Sequence, residues 1–111
     1  MSFAIAQVSL SNDKAGPVIL SESDRVQVAV ASLKMGESIP EETHMQVTQV
    51  IRVEQGDCVV YTGDDHQQHE LAVGDMIIVP SGEKHSVVAG FEGVKLSTLY
   101  CKDASAEKFI H

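Results

Sequence analysis

Two stretches decide the fold: residues 36–56, GESIPEETHMQVTQVIRVEQG, and residues 74–89, GDMIIVPSGEKHSVVA. In the first, VTQVIRV (47–53) is strand-like and carries Gln49 amid its apolar residues. Just upstream, Glu42 and His44 stand two apart, so on an extended chain both side chains leave the same face. Gln49 is five further on. That odd step requires one turn or bulge within MQVT (45–48) before the amide can join the acid and the imidazole. In the second stretch His85 follows the turn Pro80-Ser81-Gly82 and can enter from a neighbouring strand. An acid, an amide and two imidazoles could thus converge on something that takes oxygen and nitrogen donors together.

Outward from these stretches the chain reads as all-β. RVQVAVASL (25–33) sets Val26, Val28 and Val30 on one face, the two-residue period of a strand. DCVVYTG follows the turn signal Gln55-Gly56, and HQQHELAVGD, MIIVPSGEKH, HSVVAG and VKLSTLYC come after it. Gly-Asp, Pro-Ser-Gly and Gly-Phe-Glu-Gly separate these runs at spacings of roughly ten residues. No window carries a helical stripe, and only DASAEKF (103–109) suggests a weak helical turn. The N-terminal stretch through Ser23 is expected to be an edge strand and a loop. Eight to ten short strands in one domain spanning residues 1–111 imply a sandwich or a jelly-roll barrel.

Composition narrows the partners. The 111 residues carry 16 acidic and 8 basic side chains, a net charge of -8, with 43% hydrophobic and 22% charged residues. That field repels nucleic acid and anionic membrane, and no Lys/Arg cluster offsets it. No stretch approaches the ~20 apolar residues of a membrane span, and the start MSFAIAQVSLSNDK lacks the pattern of a signal peptide. A cytoplasmic protein is expected, with Cys58 and Cys101 as reduced, mostly buried thiols.

The two stretches resemble the signature motifs of the cupin superfamily, small β-barrels of jelly-roll (double-stranded β-helix) type. In the first motif, at 36–56, Gly36 is followed by five residues, Glu42-Thr43-His44, four residues, Gln49, six residues and Gly56. In the second, at 74–89, Gly74, Pro80, Gly82 and His85 fall in place, with Ala89 where an Asn is frequent. Glu42 stands where a His is usual, and Gln49 where a Glu is usual. The swap is compensated, because two imidazoles, one carboxylate and one amide keep the ligand charge at minus one. This Glu-x-His-x4-Gln variant is similar to a group of small bacterial single-domain cupins.

The resemblance implies a divalent metal ion (Fe, Mn, Ni, Co or Zn) held by Glu42, His44, Gln49 and His85. The Gln carbonyl oxygen favours the harder, six-coordinate ions. Because the imidazoles must be neutral to bind, affinity is expected to collapse below a pH of ~6. Each residue also has a plainer reading. His44 could be a loop histidine, Glu42 an exposed acid, and Gln49 a group that only orients His44 or bonds a neighbouring strand. His66 and His69 read as solvated loop residues, and Met35, Met45 and Met76 as core filling or pocket lining.

Three functions remain open at this level. The first is a metal-dependent enzyme of isomerase or dioxygenase type, acting on a small, oxygen-rich organic substrate. The second is a non-catalytic module that binds a sugar or carboxylate through its metal. The third is a metal-free, epimerase-like barrel with Glu42 or His85 as general base. A small-molecule ligand is common to all three, and a homodimer is expected, because so short a jelly roll has strand edges to cover.

Overall fold

The computed structural model describes residues 2–103. After a short helix α1 (Ile5–Ser11), seven strands follow: β1 (Val18–Glu22), β2 (Val26–Leu33), β3 (Ser38–Glu42), β4 (Val47–Thr62), β5 (Gln67–Ala72), β6 (Met76–Val79) and β7 (His85–Lys102). All pair antiparallel in one seven-stranded sheet.

The two long strands organise everything else. β4 and β7 run against each other from Val47↔Lys102 to Thr62↔His85, with register shifts near Val53/Gln55 and Gly56/Cys58. On one side of these shifts β2 pairs with β7 and β6 with β4, and β1 lies beyond β2. On the other side β3 pairs with β7 and β5 with β4. The ladder is therefore shared by two half-sheets, which close on each other in the jelly-roll manner. Their inner faces meet in one apolar cluster that includes Ile51, Val53 and Leu96 from the first half and Val60, Leu71 and Val87 from the second. Glycine makes the change of register possible. Gly56 and Gly93 both have positive φ (78° and 81°), and a Cβ on Gly56 would collide with the carbonyl oxygen of Gly93.

Several sequence expectations are corrected here. Among the described residues there are seven strands, not eight to ten, because Gln55-Gly56 and Gly-Phe-Glu-Gly are not turns between strands. They are bulges and bends within β4 and β7. The N-terminal stretch is not only an edge strand and a loop, since Ile5–Ser11 is helical. At seven residues this helix is too short to show a stripe. It docks on the outside of the sheet through Ser9, which is fully buried and donates to the carbonyl oxygen of Leu96 at 3.5 Å. The edge strand does follow, as β1.

On β2 the valine row is the outer face. Gln27, Ala29, Ala31 and Leu33 are buried, whereas Val26 is 37% exposed. Met35, Met45 and Met76 are exposed and do not fill the core, and none of them lines the cavity beside the candidate site. His66 is an exposed turn residue as expected, but His69 belongs to β5 and meets the hydroxyl of Thr62 at 2.9 Å. Cys58 is buried and Cys101 half-buried, both as free thiols. The helical turn expected at 103–109 lies, apart from Asp103, outside the described residues.

Candidate metal and ligand site

The backbone brings the four candidate residues to one end of the barrel. Glu42, the last residue of β3, pairs with His85, the first of β7. Gln49 on β4 pairs with Tyr100 on β7, which in turn pairs with Gln27 on β2. The parity correction falls where the spacing requires it. Residues 43–46 leave the sheet, Gln46 adopts φ 62°, and β4 resumes at Val47. The two signature stretches are also tied directly, because the amide of Gly82 donates to the carbonyl oxygen of His44 at 2.9 Å.

His44, Gln49 and His85 are all buried. Nε2 of His44 lies 3.3 Å from Oε2 of Glu42, and the rings of His44 and His85 are 5.2 Å apart between centroids. The edge of His44 meets the face region of Tyr100 at 5.8 Å. Among the described residues, no three histidine, cysteine, aspartate or glutamate side chains come close enough together to hold an ion by themselves. Glu42, His44 and His85 are therefore not gathered into one group in this arrangement, and would have to draw together around Gln49 to share one ion.

Hydrogen bonds fix how these groups present themselves. The Thr98 hydroxyl donates to the carbonyl oxygen of Val50 at 2.9 Å, so its oxygen is left to accept. Gln49 meets it with its Nε2 donor at 3.1 Å. The amide is thereby oriented, and its Oε1 is buried without any hydrogen-bond partner. Nδ1 of His44 is likewise buried and unpartnered. Nδ1 of His85 lies 3.3 Å from the carbonyl oxygen of Glu83, which can only accept. Nδ1 therefore carries the proton, and Nε2 keeps its lone pair. Burial, more than any neighbour, lowers the His85 pKa below the ordinary histidine value, so the ring is neutral at pH 7. Burial, with a smaller effect from Glu42, pushes the Tyr100 phenol up to about 12, so it keeps its proton throughout the physiological range.

Beside these groups lies a cavity of about 350 Å³. Glu42, Gln49 and His85 line it, together with Thr98 and Tyr100. His44 is set behind that wall. Sequence reading missed Thr98 and Tyr100. The signal was available: Leu96, Thr98 and Tyr100 alternate along VKLSTLYC, and two polar residues in an otherwise inward row mark a site. No lysine or arginine is among the lining residues.

Residues 29–99 match the family model described as the cupin domain. The chain belongs to the cupin family. This cupin is 39% identical over 79 residues to YrkC of Bacillus subtilis, covering 67% of this chain and 42% of that protein. It is 32% identical over 85 residues to a protein of Acanthamoeba polyphaga mimivirus, covering 74% of this chain and 53% of that one. The chain thus spans about half the length of the curated relatives it matches. Among solved structures, the Bacillus halodurans protein BH2720 superposes with a TM-score of 0.85 at 29% identity, covering all of this cupin and 87% of that chain. Among the described residues, no helix is long and apolar enough to cross a membrane.

Proposed function

We propose that this cupin holds a divalent metal ion with Glu42, His44, Gln49 and His85, and that it acts on a small organic molecule bound in the adjoining cavity. The observation that carries this reading is the orphaned Oε1 of Gln49. A buried acceptor without a partner costs about 1–3 kcal/mol, and here the Thr98–Val50 hydrogen bonds hold it in that state. An amide that merely braced the strand would gain nothing from a buried oxygen left without a partner. The unpartnered Nδ1 of His44 and the neutral His85 ring with its Nε2 lone pair fit the same purpose. The donor set is one carboxylate, two imidazoles and one carbonyl oxygen, which suits a six-coordinate first-row ion.

Such an ion would supply Lewis acidity toward a ligand oxygen. The remaining work falls to the chain. Glu42 provides the one negative charge of the set. Tyr100, protonated and buried, holds a proton at the cavity wall, and the aliphatic residues beyond it exclude water. Turnover of isomerase or dioxygenase type is the primary reading, and binding without turnover is the second. The soluble homodimer expected of so small a barrel is proposed with them.

The test is metal content. The protein, reconstituted and freed of excess ion, should retain about one equivalent by elemental analysis. His85→Ala should lose most of it while keeping the β-sheet circular dichroism of the parent. Full retention by that variant would overturn the assignment. Gln49→Glu separates ligation from bracing: a second carboxylate should tighten a hard ion if Gln49 is a ligand, and change little if it is not.

A further inference from the structure

We infer that the ligand of this site has a monoanionic head with two adjacent oxygens and an apolar body, the chemistry of a short-chain 2-oxo acid and not that of a sugar or a phosphate ester. The head rests on the metal reading above. The body rests on the cavity wall alone.

Strand register sorts the barrel interior into levels. The first carries Gln27, Tyr100 and Gln49 on one half-sheet, and Thr62, His85 and Glu42 on the other. One step along the strands, the paired residues are Ala29, Thr98 and Ile51, facing Val60, Val87 and Ile39. A further step reaches Ala31, Leu96 and Val53, opposite Cys58 and Ala89. Polar side chains therefore occupy one end, and past Thr98 the rows are aliphatic. The cavity runs from the first level to Ala31, Leu33 and Leu96 in the deeper ones. Its wall is completed by Ala15, Gly16 and Pro17 of the loop before β1, which add no polar side chain. Ser38, exposed at the rim, is the one hydroxyl away from the polar end.

Charge and hydrogen bonding then choose the ligand. One carboxylate against a divalent ion leaves a single positive charge, which a monoanionic pair of oxygens neutralises. A phosphate at the far end would be a buried dianion with no lysine or arginine beside it. Sugar hydroxyls in the same place would face Leu33, Val87 and Leu96 with no partner. A cavity of about 350 Å³ lies at the low end of ligand-sized pockets, which limits the body to a few carbons.

Calorimetric titration tests both halves. Metal-loaded protein is titrated with pyruvate, 2-oxobutanoate, 2-oxopentanoate and 2-oxohexanoate, and with glucose 6-phosphate as the polar rival. Metal-stripped protein is titrated with 1-alkanols from ethanol to hexanol. Affinity should rise about fourfold per methylene in both series, the worth of burying one. Each 2-oxo acid should bind the metal-loaded protein at least tenfold more tightly than the alkanol of equal length binds the stripped one. Flat series in both arms, or glucose 6-phosphate binding more tightly than 2-oxohexanoate, would overturn the inference. If the alkanol increments appear but the 2-oxo acids gain nothing from the metal, the apolar body stands. The head then falls, while the metal reading is decided separately by the metal content of the same loaded protein.

Discussion

The two ends of this barrel are built from the same strands and obey opposite rules. At the end beyond the register shifts, Leu33, Val53, Val60 and Leu96 are nearly or fully buried, and every inward side chain there is apolar. At the other end the same strands turn Gln27, Gln49 and His85 inward, the loop between β3 and β4 adds His44, and three of these four leave a buried polar atom unpartnered: Gln27 Oε1, Gln49 Oε1 and His44 Nδ1. Stability is concentrated where the packing is complete. Where packing is incomplete, buried polar atoms are left without partners, and only such atoms are available to an ion or a ligand.

Substitutions at the two ends should therefore differ in sign as well as size. The largest effect is expected at the bend. Gly56→Ala places a side chain at φ 78° and against Gly93 O, and should cost more than about 3 kcal/mol, leaving little soluble protein. Next is Leu33→Ala at the apolar end, with a loss of about 3 kcal/mol in urea denaturation. Gln49→Leu at the polar end should do the reverse. It removes the orphaned carbonyl, and the metal-free variant should be as stable as the metal-free parent or up to about 1 kcal/mol more stable, while after reconstitution it should retain less metal. A loss as large as that of Leu33→Ala would dissolve the contrast between the ends.

Two smaller effects sharpen it. Because burial lowers the native pKa of His85, the unfolded chain binds that proton more readily than the folded one. The stability tied to the neutral ring is present above the ordinary histidine range near ~6.5 and is lost as pH falls below it. Thermal midpoints of the metal-free protein should decline from pH 7 to pH 5, and His85→Gln should decline less. The smallest effect concerns the thiols. Burial, with a minor contribution from Asp57, pushes Cys58 up to about 11. With native protein at pH 8, a disulfide reagent should modify the half-buried Cys101 first and leave Cys58 for the unfolded chain.

Much of this was legible in the sequence, for a physical reason. Gly36, Gly56, Gly74 and Gly82 all have positive φ, so their spacing is a record of backbone geometry that other residues adopt at a cost. The odd step from His44 to Gln49 announced the turn that Gln46 makes. What escaped reading was whatever depends on a partner distant in sequence. A glycine bulge inside a long strand carries the same local chemistry as a hairpin turn, so β4 and β7 each looked like two strands. The valines of β2 showed a shared face but not which face turns inward; the small Ala29 and Ala31 are what the interior demands beside a cavity. The helix Ile5–Ser11 has no side-chain cap at its start, and its one buried residue is a serine. Its docking on β7 explains its presence better than its own sequence does.

The β4–β7 ladder sets an order of assembly. Its innermost pair, Thr62↔His85, closes the shortest loop, and its outermost, Val47↔Lys102, the longest. Since loop closure grows costlier with length, zippering should begin beside His85, pass through the paired glycines, and reach Gln49 and Tyr100 near its finish. His85 of the first rung and the late pair Gln49↔Tyr100 border the same pocket. A nascent barrel would thus fix His85 early, yet bring Gln49 and Tyr100 into place only as the final rungs close.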